Sequence, residues 1–212
     1  MNNPTPPRLP SPWHASLVAA LTLFAAGHSF AAPPATATAP ATAPLETVPS
    51  VDINRYMGRW YQIAYFPNRF QKQCASDVTA DYKLLAHGQV EVTNRCRTAY
   101  GKVDDVVGRA RLQQKRLLGI PLEEPISTAR LEVRFAPAIV SWFPGVWAPY
   151  WVIQLADDYR YSVVSEPSRE YLWILARTPT LPAQDLQSIK ARLQTQGFDV
   201  NKLVTLPPAN GG

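Results

Sequence analysis

Side chains that attack, shuttle protons or bind metals are scarce in this chain of 212 residues, and their spacing excludes most chemistry. His14 and His28 lie in an N-terminal segment that reads as removable, which leaves His87 in a turn-like AHGQ. One turn histidine assembles neither a nucleophilic triad nor a His-rich metal site. Cys74 and Cys96 are too few for a thiolate metal centre, and in an exported chain an even pair predicts one disulfide. No catalytic residue, metal or cofactor is therefore expected. The aromatic residues are plentiful by contrast, and what they offer is packing, hydrogen bonding and cation–π stacking.

The elements that position them begin after a leader. Arg8 precedes a twelve-residue apolar run, Ala15–Ala26, and the small residues Ser29 and Ala31 follow with the spacing of a cleavage site. The run is shorter than the roughly 20 apolar residues that span a bilayer, so residues 1–31 read as a secretory signal peptide. Residues 32–50 are mostly Pro, Ala and Thr, with no apolar face to bury, and read as a tether. One domain is expected over 51–207, with a short tail at 208–212. Loss of the leader takes Arg8 with it, so the formal charge falls from +5 to +4. That excess is spread along the chain with no basic run or basic helix, which argues against a nucleic-acid partner.

Within the domain the pattern has period two. Strands are expected at Gly58–Phe66, Asp77–Leu85, Gln89–Arg95, Val106–Leu112, Ala129–Phe135, Tyr150–Leu155, Tyr161–Ser165 and Tyr171–Ala176, separated by turn signals such as AHGQ, ADDYR and EPSRE. Eight short strands in hairpin spacing predict an all-β fold, an antiparallel up-and-down barrel wide enough for one small ligand. A single helix is expected over Pro182–Gln196, with Leu186, Ile189 and Leu193 on one stripe and Gly197 ending it. It would pack on the outside of the barrel. The tail Asn201–Leu206 is expected to add a short edge strand.

Alternation assigns the faces. Trp60, Gln62, Ala64 and Phe66 share one face of the first strand. The inward set elsewhere includes Ala80, Tyr82, Val92, Asn94, Val106, Gly108, Ala110, Leu131, Val133 and Phe135. Tyr150, Val152, Gln154, Val164 and Trp173 complete the expected wall, with Asn94 and Gln154 as the polar groups for a ligand head. Small, medium and a few polar side chains suit a cavity better than a solid core.

The first and eighth strands are neighbours in a closed barrel, and both have an end at the base. Trp60 opens one and Arg177 closes the other, so the guanidinium can lie over the indole in a stack worth about 1–2 kcal/mol when desolvated. Gly58 is expected to let backbone pass beside that pair. Trp60 would then plug the base. This G-x-W, with VDINRYMGRWYQIAYFPNRF, DVTADY, EYLWILARTP and FDVNK at their separations, resembles the lipocalin family, and in particular its bacterial members, over Val51–Leu206. The same alternation of ends puts Cys74 and Cys96 together at the mouth, where a disulfide is expected. The connection Ala138–Tyr150, also at the mouth, carries Trp142, Phe143 and Trp147. Those rings either pack over the rim or form a patch for a membrane surface or a second copy of the chain. The insertion Gln113–Thr128 falls at the base.

The resemblance implies a non-enzymatic carrier that buries an acyl chain of a fatty acid or lysophospholipid, at about 0.8 kcal/mol per CH₂, and serves the bacterial envelope. Export to the periplasm is expected, with an outer-membrane association left open. The bacterial members commonly carry an acylated cysteine after the signal core; here no cysteine precedes Cys74, so lipid anchoring is unsupported. Two other classes compete with this reading. An enzyme on this scaffold would need a nucleophile or acid–base pair on the inner face, and a haem or pigment binder would have Tyr82 or Tyr150 as its axial candidates.

Overall fold

The computed structural model describes residues 43–118, 120–135 and 145–206. The expected signal peptide, the tether before residue 43, Trp142, Phe143 and the tail from 207 lie outside the described residues.

Ten strands are present: β1 (Gly58–Tyr65), β2 (Cys74–Leu84), β3 (Val90–Thr98), β4 (Val103–Leu112), β5 (Gln114–Leu117), β6 (Ile120–Pro125), β7 (Arg130–Arg134), β8 (Ala148–Leu155), β9 (Tyr161–Ser165) and β10 (Leu172–Ala176). Eight of them close an antiparallel barrel in the order β1-β10-β9-β8-β7-β4-β3-β2. These are the eight strands the alternation predicts. The insertion between β4 and β7 forms a separate hairpin of β5 and β6 at the base, with Leu117, Leu118, Ile120 and Leu122 exposed. Sequence reading placed that insertion but gave it no strands, because its polar and apolar residues do not alternate.

The base is built before β1 starts. Asp52 caps the one-turn helix α1 (Ile53–Tyr56) by accepting from the N–H groups of Asn54 and Arg55. Helix α2 (Ala183–Thr195) opens at Pro182 and buries Ile189 and Leu193. It packs outside the barrel with Phe66, Ile153, Val163, Leu172, Ile174 and Phe198. The strands beneath it are therefore covered on both faces. That explains why β9 (YSVVS) and β10 (LWILA) read as apolar runs instead of clean alternation. Leu45 joins this outer layer and Val48 N–H donates to the Val152 carbonyl, so residues 43–50, read as tether, lie along the barrel.

Two irregularities reverse the faces that strict alternation gives. In β1 the pairing with β10 shifts between Gln62 and Ala64. Trp60 stays in the interior cluster, whereas Ala64 and Phe66 turn outward against α2. In β8 the pairing with β9 shifts between Val152 and Gln154. A bulge adds one residue to one strand only, so each residue beyond it changes side. The expected C-terminal edge strand is reduced to a single bridge between Tyr65 and Val204, after a short 3₁₀ turn at Val200–Lys202.

Candidate functional site

The barrel has a plugged base and an inner wall whose described residues gain exposure toward the mouth. Trp60 is fully buried, and the Arg177 guanidinium carbon lies 3.8 Å from its ring centroid. Trp60 Nε1 donates to the Tyr56 carbonyl at 2.9 Å, and Arg177 donates to the carbonyls of Arg59 and Arg55. The guanidinium therefore stitches the end of β10 to α1 and to the start of β1. Gly58 adopts φ +92°, and a Cβ there would sit 3.5 Å from Arg177 Nη1, an ordinary contact. Glycine thus serves the backbone conformation, and the close approach expected of it is not what requires it.

Directly above this plug, four hydroxyls form a chain. Tyr82 Oη lies 2.9 Å from Tyr150 Oη, Tyr150 lies 3.0 Å from Tyr56 Oη, and Tyr56 lies 2.9 Å from Ser162 Oγ. Burial pushes the phenols of Tyr56, Tyr82 and Tyr150 above the ordinary tyrosine range, so all three stay neutral. A cavity of about 20 Å³ remains here, bordered by Val51, Tyr56, Tyr82, Val92, Leu131 and Val152. That is room for about one water molecule, far too small for an acyl chain.

Exposure rises steeply toward the mouth. On the inner face of β4 it goes from 4% at Ala110 to 45% at Val106; on β7 and just beyond, from 8% at Leu131 to 40% at Phe135. Inward-facing residues that see solvent define a cup. The Phe135 ring lies against Gly108, where an added Cβ would come within 2.6 Å of both that ring and the Arg134 carbonyl. Glycine at that position permits the close crossing of β4 and Phe135. The disulfide Cys74–Cys96 joins β2 to β3 at the mouth.

The structure places Ala80, Tyr82, Val92, Ala110, Leu131, Val152 and Val164 in the interior cluster, with Val133, Tyr150 and Trp173 packed against it. Asn94 stands opposite Ala80 and Val106 on the same inner face. Gln154 is the exception. Beyond the β8 bulge it points outward beneath α2, and its Nε2 donates to the Ile189 carbonyl and to Gln196 Oε1. It is a docking residue for the helix and cannot meet a ligand head in the cup.

Sequence reading missed Tyr56, Ser162 and a polar relay of Gln62, Gln71 and Trp173. Trp173 Nε1 donates to Gln71 Oε1 at 2.8 Å, and Gln71 Nε2 donates to Gln62 Oε1 at 2.7 Å. An Asp before the one-turn motif INRY was a readable signal for α1 and hence for Tyr56; Gln71 ends a one-turn 3₁₀ helix, Arg69–Gln71, that periodicity does not place. Trp147, expected in the mouth patch, lies 4.0 Å from the Arg111 guanidinium carbon and 5.1 Å from that of Arg134. Among the described residues, no group of three His, Cys, Asp or Glu is placed to hold a metal ion.

A closed eight-stranded antiparallel barrel with a sealed base, an apolar inner wall and one outer helix is an architecture wide enough to hold one small ligand. The Lipocalin-like domain family model matches residues 51–208. The chain belongs to the lipocalin family, whose members bind small hydrophobic ligands and are generally non-enzymatic. It is 36% identical over 157 residues to the outer membrane lipoprotein Blc of Citrobacter freundii, covering 74% of this chain and 79% of that protein. Temperature-induced lipocalin-1 of Arabidopsis thaliana is 32% identical over 167 residues, covering 78% and 84%. Mouse apolipoprotein D is 32% identical over 167 residues, covering 75% and 78%. Among solved structures, insecticyanin of the tobacco hornworm Manduca sexta superposes with a TM-score of 0.58 at 17% identity, over 78% of this chain and 85% of its own. Apocrustacyanin C1 gives 0.55 at 17%, over 76% and 81%. At that identity both speak to the fold alone.

Proposed function

We propose that the protein is a non-enzymatic carrier of a single-chain lipid, a fatty acid or lysophospholipid, exported to the periplasm and serving the cell envelope. The observation that carries this reading is the exposure gradient on the inner face of β4, from Ala110 to Val106. A barrel stabilised only by its own core would fill its upper half; this one keeps apolar wall in contact with solvent, which an acyl chain would cover at about 0.8 kcal/mol per buried CH₂. Trp60 and the tyrosine chain limit how deep the chain goes. The interior cluster offers aliphatic and aromatic side chains, which suit burial better than acid–base chemistry.

Export is supported by the apolar run Ala15–Ala26 behind Arg8 and by the disulfide, which persists in an oxidising compartment. The envelope role is supported by the bacterial relative from Citrobacter freundii, an outer membrane lipoprotein by name. β7 ends with Arg134 at the mouth, where a membrane surface would deliver or receive the lipid.

The test is mass spectrometry of organic extracts from purified protein, followed by titration of delipidated protein with palmitic acid and a lysophospholipid. Saturable quenching of tryptophan fluorescence is the expected result, since Trp173 packs against the interior cluster. No extracted lipid and no saturable response would overturn the carrier reading.

A further inference from the structure

The barrel wall has a gap between β1 and β2. Their pairing covers Gly58–Tyr61 opposite Tyr82–Thr79 and stops there, although β1 runs on to Tyr65. Both strands turn irregular at that point: β1 shifts between Gln62 and Ala64, and the β2 pairing with β3 shifts between Ser76 and Thr79, where Asp77 takes φ +55°. The C-terminal segment bridges the far end through Tyr65 and Val204. Between them lies a cleft of about 480 Å³, bordered by Gln62 and Ile63 of β1, Val78 and Thr79 of β2, and Leu181 and Leu206. That size is within the range of small-molecule sites.

Gln62 connects the cleft to the interior. It stands opposite Leu175 of the interior cluster and also borders the cleft. Its amide orientation follows from its partners. The Trp173 indole only donates, so Gln71 must turn its oxygen to Trp173 and its nitrogen to Gln62. Gln62 then presents its own oxygen to Gln71, and its Nε2, which is buried, is left without an acceptor. A buried donor of this kind calls for an acceptor, which a ligand oxygen can supply.

The charge around the cleft narrows the ligand. Among the described residues its border includes the carboxylate of Asp77, held by Arg97 at 3.0 Å, and no lysine or arginine. We infer that this cleft is a lateral head-group site: the acyl chain lies in the cup, its ester carbonyl accepts from Gln62 Nε2, and a head without net charge passes through the wall between β1 and β2. Of the two ligand classes proposed above, an esterified lipid whose head has no net charge, such as a zwitterionic lysophospholipid, is therefore favoured over the fatty acid. This rests on the carrier reading and adds where the head leaves and what class it belongs to.

The experiment measures dissociation constants of three probes on full-length mature protein: 1-palmitoylglycerol, palmitic acid at pH 8, and diphenylhexatriene, a hydrocarbon without an acceptor. Wild type is expected to bind the ester more tightly than the acid. Gln62→Leu removes the donor and is expected to weaken the ester about tenfold, the equivalent of one hydrogen bond, with diphenylhexatriene unchanged. Thr79→Trp fills the cleft from outside and is expected to do the same. Unchanged diphenylhexatriene binding also certifies that each variant is folded; should Gln62→Leu not fold, Thr79→Trp alone decides the question. Ester binding unaffected by Thr79→Trp would mean that the head leaves over the rim, and the lateral site would be wrong. Tighter binding of palmitic acid than of the ester would overturn the head-group class. Wild type that binds none of the three would sink the carrier reading itself.

Discussion

Replacing Trp60 with alanine should unfold the protein more readily without changing what it binds. Trp60 is fully buried, and truncating a buried tryptophan costs about 3–5 kcal/mol through lost transfer energy and the cavity left behind. The Arg177 guanidinium loses a stacking partner at 3.8 Å, worth about 1–2 kcal/mol, and the Tyr56 carbonyl loses the indole N–H. These contributions overlap, so about 5 kcal/mol is expected in total. For a domain of this size each kcal/mol moves Tm by about 2–4 °C, which predicts a fall of about 10–20 °C. Circular dichroism would follow the melt, and diphenylhexatriene titration at 15 °C would follow binding by the folded fraction. A double-mutant cycle with Arg177→Met should return a coupling of about 1–2 kcal/mol, the stack itself. If Trp60→Ala melted within about 2 °C of wild type and lost binding, Trp60 would be a ligand residue and the plug assignment would be refuted.

The three buried phenols make stability sensitive to alkali. Their folded pKa values lie above the ordinary value, so their contribution is intact below about pH 10 and declines above it, as the unfolded chain ionises first. Unfolding free energies from urea titrations should be level from pH 7 to 9 and then fall by up to about 4 kcal/mol per pH unit for three protons; Tyr82→Phe or Tyr150→Phe should remove about a third of that slope, and an unchanged slope would count against the floor as described. Serine at both Cys74 and Cys96 should cost about 3 kcal/mol in the chain-entropy account of a 22-residue loop, read as a lower urea midpoint that reductant no longer shifts. Gln154→Ala should cost about 1–2 kcal/mol by leaving the Gln196 side chain and the Ile189 carbonyl without their donor, with lipid affinity within twofold of wild type; a large loss of affinity would return Gln154 to the cup.

The sequence was most legible where period two holds without interruption. In β2 from Thr79 onward, in β3 and β4 and in β7, alternation places Tyr82, Val92, Ala110 and Leu131 on the interior side where the structure has them. It fails at the bulges, because one added residue leaves the hydrophobic composition unchanged while turning every following side chain over. Ala64, Phe66 and Gln154 were lost to that effect. The pairing of Trp60 with Arg177 was legible because chain reversal alone sets which strand ends meet, whatever the loops between them do. The Gln62–Gln71–Trp173 relay was not, since it joins a strand, a one-turn 3₁₀ helix and a distant strand through two side-chain amides and an indole that carry no periodic signal. Composition could give the chain's poverty in catalytic groups; it could not show that the upper cup stays open, which depends on how Phe135 crosses Gly108.

Closure of the barrel also bears on self-association. A closed ladder spends its backbone donors and acceptors internally and leaves no template on which another chain can extend. Where β1 parts from β2, Tyr65 N–H and C=O are instead taken up by Val204 of the same chain. That short C-terminal segment thus works as a guard on a strand edge, next to the apolar Ala64 and Phe66. A chain shortened before Leu203 would offer that edge to its neighbours, so the last residues of the fold protect its solubility as well as completing its wall.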